Sequence, residues 1–189
     1  MKNDESIYVN IHQDIIDRCK KGEQKAQFQL YKLYYKAMYN TSLRIVSDAL
    51  EAEDVMQEAF LKAFDKIHTY SGAVSFGAWL KRIVINHSLD ELKRRKADWE
   101  PIDAQLYKLT DEEDEKNQEE IDLKAEQIKQ TINHLPDGYR LVLSLYLIEG
   151  YDHDEIADIL HISASTSRSQ CARAKKKVIE AIKMEANKH

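Results

Sequence analysis

Two cysteines, two prolines and five glycines are all that the 189 residues hold of the types that most constrain a backbone. Cys19 and Cys171 stand far apart and in no ligand-like spacing, so neither a disulfide framework nor a cysteine-based metal site follows from them. Glycine and proline are too scarce for the tight turns of a sheet protein. With Leu, Ala, Glu, Lys and Gln abundant, that scarcity points to an all-α fold. No apolar run approaches the length of a membrane-spanning helix, and the opening MKNDESIYVN has no apolar centre of a secretory signal. A soluble, cytoplasmic protein with no direct membrane insertion is therefore expected. There is no Gly-rich phosphate loop and no clustered His/Cys/Asp/Glu set, and the seven histidines are scattered. The chain is accordingly expected to bind no metal and no cofactor, to carry no catalytic residues, and not to be an enzyme.

What is present is charge, unevenly placed. The formal net charge is −5, but from Asp98 to Glu126 twelve acidic residues stand against three lysines, a local balance of −9. From Leu160 to His189 seven Lys or Arg stand against two Glu, a balance of +5. The acidic stretch, with DEEDEKNQEE at its centre, has little apolar periodicity and reads as a flexible linker extended by self-repulsion. The expected organisation is thus two small helical domains, residues 1–96 and 123–189, joined by an acidic linker over residues 97–122.

Apolar periodicity places four helices in the first domain. They span about Ile11–Lys20, Gln24–Val46, Glu51–Ile67 and Ala78–Lys96. Ile11, Ile15, Ile16 and Cys19 share one side of the first helix. The third buries Val55, Met56, Ala59, Phe60, Ala63, Phe64 and Ile67 and leaves a charged face outward. The fourth offers Trp79, Leu80, Ile83, Leu89 and Leu92 to the core and ends in four basic residues, Lys93 to Lys96.

The second domain carries helical patterns at about Leu123–His134, Tyr139–Ile148, His153–Leu160 and Ala164–Met184. Asp152 with Glu155 three residues on forms a capping box for the third of these, and Ser163 is a good N-cap for the last. On the last helix Ala164, Cys171, Ala174, Val178 and Ile182 make an apolar stripe. Ser165, Ser169, Arg173 and Lys176 lie opposite. Two short helices joined by a tight turn, the second polar and basic outside, make a helix-turn-helix. Ser165, Thr166 and Ser169 are short enough for close backbone approach to DNA, Arg168 and Arg173 have the fork that reads guanine, and Lys175 to Lys177 suit phosphates. A helix with such a face is also common as plain solvent surface.

Three blocks in order add a resemblance. AEDVMQEAFLKAF (Ala52–Phe64), FGAWLKRIVINHSLDELKRRK (Phe76–Lys96), and LPDGYRLVLSLYLIEGYDHDEIADILHIS (Leu135–Ser163) followed by STSRSQCARAKKK (Ser165–Lys177) resemble the alternative sigma factors of bacterial RNA polymerase, of the extracytoplasmic-function (ECF) group of the sigma-70 family, in a Bacteroidota-like variant. The resemblance implies a protein that binds core RNA polymerase on its clamp and flap surfaces and directs initiation at −10 and −35 promoter elements. It places polymerase contacts on Glu53, Asp54, Gln57 and Glu58. It places −10 recognition on Asn86, which would hold an extruded base in a pocket built at the break Thr69–Ser75, with Lys81, Arg82, Lys93, Arg94 and Arg95 on phosphates. It places −35 contacts on Arg168, Ser169, Ala172 and Arg173, beside Ser165, Thr166 and Lys176. It also implies a connector threading the polymerase toward its active centre, and an anti-sigma protein that masks the same surfaces.

The commonest family pattern, threonine-valine-lysine-serine-arginine-leucine, is replaced here by Thr166, Ser167, Arg168, Ser169, Gln170 and Cys171, and His161 stands where a turn glycine is usual. A stand-alone helix-turn-helix transcriptional regulator would use the same last helix and leave the first domain for dimerisation or a ligand.

Overall fold

Capping side chains and left-handed turns set where each helix starts and stops. The computed structural model describes residues 11–97 and 128–186. The acidic stretch read as a linker lies outside the described residues, apart from Ala97 at its edge. The chain divides into two compact units at Glu100/Pro101, and the described residues contain helices and no strand. The all-α expectation holds.

In the first unit, α1 (Gln13–Lys20) is followed at Gly22 by a left-handed turn, φ 80°, then α2 (Gln24–Val46), which ends on left-handed Ser47. Asp48 accepts from the backbone N–H groups of Leu50 and Glu51 at 2.9 Å each, so α3 (Ala49–Asp65) begins two residues before the sequence pattern suggested. A short 3₁₀ turn (Ile67–Thr69) leads to α4 (Phe76–Ala97). Helices α2, α3 and α4 pack pairwise around Leu30, Met38, Met56, Phe60, Phe76 and Leu80, with α1 closing one end through Ile16 and Cys19. Ile11 does not join them. It is 91% exposed, because α1 begins only at Gln13 and Ile11 sits in the turn before it. Trp79 is half-buried in an aromatic cluster, its ring 5.4 Å from Tyr70 and 5.5 Å from Phe76, which fits a core role rather than base stacking. A buried hydroxyl pair, Ser88 to Ser42 at 3.1 Å, ties α4 to α2.

The second unit contains α5 (described over residues 128–133), α6 (Asp137–Leu147), α7 (His153–Leu160) and α8 (Ala164–Ala186). The Asp152/Glu155 capping box is present in full, with Asp152 accepting from Glu155 N–H at 2.8 Å and Glu155 accepting from Asp152 N–H at 2.8 Å. His161 ends α7 in the left-handed region, φ 55°, a conformation that glycine adopts freely and histidine more readily than most. Ser163 Oγ then accepts from Thr166 N–H at 3.0 Å and starts α8. Helix α8 packs on α6 and α7 through Cys171, Ala174 and Val178. Ala164 and Ile182 are only half-buried, whereas Ser167, which the apolar stripe does not include, is fully buried on the same side. Position 167 falls one helical turn before Cys171, so periodicity puts it inward, and a partner on α7 satisfies its hydroxyl.

Candidate polymerase and promoter-DNA surfaces

The outward face of α3 is built by the 3–4 spacing that remains after Ala52, Val55, Met56, Ala59 and Phe60 are buried. Glu53, Asp54, Gln57 and Glu58 are all exposed on that face, and Gln57 Nε2 donates to Glu53 Oε1 at 3.3 Å. Two large apolar side chains belong to the same stripe and were not singled out from sequence: Leu50, 77% exposed, and Leu61, 71% exposed. Spacing alone could have found them, since 50, 53, 54, 57, 58 and 61 form one continuous helical row. The acidic patch therefore has an apolar side chain at each end. Toward α4, Glu58 Oε2 lies 3.9 Å from Nδ1 of His87, which is mostly buried. Burial holds the His87 pKa below its ordinary value and Lys62 pushes the same way, while Glu58, Asp90 and Glu91 oppose them.

Helix α4 does not present its candidate residues equally. Asn86 is exposed, Lys81 and Arg82 are half-buried, and Lys93 and Arg94 are exposed. The side chain of Lys96 lies outside the described residues. Arg94 forms a two-pronged pair with Glu91, at 2.5 and 3.0 Å, which holds the Glu91 carboxyl below its usual range. Arg95 turns inward: its Nη1 donates to Glu51 Oε2 at 3.0 Å and to the Val46 carbonyl at 3.2 Å. It joins the C-terminal ends of α2 and α4 to the start of α3, where a cation complements the exposed carbonyls of α2. The break before α4 is ordered by the Tyr70 hydroxyl donating to the Val74 carbonyl at 2.6 Å, by Lys20 Nζ donating to the Tyr70 carbonyl at 2.9 Å, and by Ala78 N–H donating to Ser75 Oγ at 3.2 Å.

These placements separate two kinds of cation. Arg95→Ala is expected to lower the stability of the first unit by about 1 kcal/mol, because the pair is partly exposed and screened. It should leave the salt dependence of promoter binding unchanged. Lys93→Ala should leave stability alone and flatten the slope of log affinity against log salt by about 0.7–0.9. Thermal melts and salt titrations of the chain with polymerase on promoter DNA check both.

On α8, Ser165, Arg168, Ser169, Ala172, Arg173 and Lys176 are exposed together on one face, and Thr166 is half-buried beside them. The hydroxyls of Thr166 and Ser169 already bond locally: Thr166 Oγ1 lies 2.8 Å from Ser163 Oγ, and Ser169 Oγ donates to the Thr166 carbonyl at 3.0 Å. Lys175, Lys176 and Lys177 are all exposed, but their ammonium groups have different surroundings. Lys175 Nζ sits 4.6 Å from the centroid of Tyr146 and Lys177 Nζ 5.9 Å from that of Tyr139, both on α6. Lys176 points outward, its side chain 79% exposed. Alternation around the helix makes the difference, since residues one and two apart face different directions.

Burial pushes the Cys19 pKa up to about 11 and raises that of Cys171, so both are uncharged thiols at neutral pH. Among the described residues no group of His, Cys, Asp and Glu is placed to hold a metal ion, and no helix is long and apolar enough to cross a membrane.

Two family models match the chain in the order of its two units: sigma-70 region 2 over residues 30–98, and sigma-70 region 4 over residues 125–178. The chain belongs to the sigma-70 family of RNA polymerase sigma factors, in its ECF group. It is 31% identical to the RNA polymerase sigma-H factor of Pseudomonas aeruginosa over 179 residues, covering 90% of this chain and 93% of that one. It is also 31% identical to the ECF RNA polymerase sigma factor SigW of Bacillus subtilis, covering 85% and 90%. The ECF RNA polymerase sigma-E factor of Escherichia coli is 29% identical, covering 88% and 91%. In fold, the chain is similar to CnrH, solved in complex with the cytosolic domain of CnrY (TM-score 0.57, 21% identity, 92% of this chain and 98% of that one). It is also similar to the sigma factor RpoE of Bartonella quintana, solved with the anti-sigma factor NepR (TM-score 0.56, 21% identity, 82% and 95%). The stand-alone regulator is overturned by the region 2 match, which assigns the first unit to a sigma factor rather than to a ligand or dimerisation module.

Proposed function

We infer that this protein is an alternative, ECF-type sigma factor that binds core RNA polymerase and directs promoter-specific initiation. The observation that carries this reading is the pairing, in one chain, of region 2 and region 4 of the family with relatives that align across both. In it residues 1–96 bind polymerase and recognise and melt the −10 element, residues 97–122 connect, and residues 123–189 bind the −35 element. Glu53, Asp54, Gln57 and Glu58, with Leu50 and Leu61, form the polymerase face. Asn86 receives an extruded −10 base, with Lys81, Arg82, Lys93 and Arg94 on nearby phosphates. Arg168, Ser169, Ala172 and Arg173 meet the −35 major groove, flanked by Ser165, Thr166 and Lys176. The chain supplies recognition and strand capture; bond-making stays with the polymerase. It works in the cytoplasm, where its partners are.

Regulation by an anti-sigma protein belongs to the same reading, because a sigma factor of similar fold has been solved with such a partner. A protein covering the acidic and apolar row of α3 would compete with the polymerase directly.

Fluorescence anisotropy on a promoter duplex tests the assignment. The free chain should bind weakly, and the chain with core polymerase should form a heparin-resistant complex whose −10 thymines react with permanganate. Tight binding by the free chain, with no effect of polymerase, would contradict it.

A further inference from the structure

The inward face of α8 is unusually smooth for a helix that must hold a reading head in register. Ala164 is half-buried, and Ser167, Cys171 and Ala174 are 0%, 2% and 0% exposed; the first large side chain inside is Val178. Burial of small apolar groups is non-directional and resists rotation of a helix about its own axis only weakly. A rotation of about 20° moves the surface of a helix 5–6 Å in radius by about 2 Å, enough to break a hydrogen bond to a base edge. Something directional has to fix the angle.

One directional link is present. Ser167 Oγ, fully buried, lies 2.9 Å from Nδ1 of His153, the first residue of α7. The His153 ring stacks on Tyr146 of α6, centroids 4.7 Å apart and planes 8° from parallel. Lys175, two turns beyond Ser167 on α8, holds its Nζ 4.6 Å from the centroid of the same tyrosine ring. All three helices of the motif are thereby joined through four side chains. Ser167 sits directly before Arg168 and Ser169, so fixing the inward serine fixes the angle at which those two leave the helix.

We propose that Ser167 and His153 are positioning residues for −35 recognition: their hydrogen bond, braced by Tyr146 and Lys175, sets the rotation of α8 and so the aim of Arg168 and Ser169, without either touching DNA. The proposal rests on the reading of α8 as the −35 reading helix and deepens it. The link is directional in either histidine tautomer, with the Ser167 hydroxyl donating to a bare Nδ1 or accepting from Nδ1–H.

The test is a ratio. Full-length chain and core polymerase transcribe two promoters that differ only in an intact or scrambled −35 element, well below the thermal midpoint of each variant. His153→Phe keeps a ring to stack on Tyr146 but loses Nδ1, and Ser167→Ala loses the hydroxyl. Each should lower the intact-to-scrambled ratio about fivefold to thirtyfold, as expected when one arginine loses its aligned contact with a base edge. The double variant should fall no further than either single one, because both remove the same link. His153→Asn, whose amide can meet the serine hydroxyl, should recover part of the ratio. Variants that lose thermal stability and keep the ratio, or that lower it additively, would overturn the proposal. A wild-type ratio near one would overturn the −35 reading itself, and the inference with it.

Discussion

Glu53→Lys combined with Asp54→Lys is expected to remove binding to core polymerase while leaving the protein folded. Both carboxylates are exposed on the outer row of α3, and surface substitutions of this kind change stability by no more than about 0.5 kcal/mol each. Like charges brought together across an interface cost several kcal/mol, so affinity should fall by about two to three orders of magnitude. Circular dichroism should show unchanged helix content and an unchanged melt. Leu61→Ala, which truncates an apolar side chain at the end of the same row, should weaken binding less and without a strong salt dependence. A charge-reversed protein that still assembles with polymerase would remove α3 from the interface and return its charged row to plain solvent surface.

Arg168→Ala with Arg173→Ala should have the other large effect, confined to the promoter. Each guanidinium that reads a guanine is worth about 1–3 kcal/mol of discrimination, so losing two should cost about 30-fold or more on promoters that depend on the −35 element. Promoters recognised mainly at −10 should change little. Lys176→Ala should act differently, weakening all promoters alike and flattening the salt slope by about 0.9. Transcript yields across a panel of −35 variants separate the two patterns. A uniform loss from the arginine substitutions would make those side chains phosphate contacts rather than readers of sequence.

The two-unit helical architecture was legible because its signals are local. Helical spacing identified the buried row from Val55 to Ala63, the Asp152–Glu155 box fell where its spacing required, and Ser163 caps α8 as its position suggested. The outer faces of α3 and α8 followed from the same periodicity, since whatever is not buried must face outward. What could not be read were contacts between elements distant in sequence. Arg95 looked like one of four equivalent basic residues, and its pairing with Glu51 and Val46 depends on α3 and α2 arriving beside it. The rings of Tyr146 and Tyr139 beside Lys175 and Lys177 are likewise invisible in the sequence, because α6 brings them there. The burial of Ser167 follows from its place one turn before Cys171, but its hydrogen-bond partner, His153 on α7, is not visible in the sequence. Ile11 was the opposite error: it keeps the helical spacing, but the helix starts after it.

The most direct measurement is start-site mapping in vitro, with core polymerase from a related bacterium transcribing a fragment library of the host genome, with and without this protein. The account predicts new transcripts only when the protein is added, beginning a fixed distance downstream of paired −35 and −10 elements. An unchanged set of start sites would contradict it.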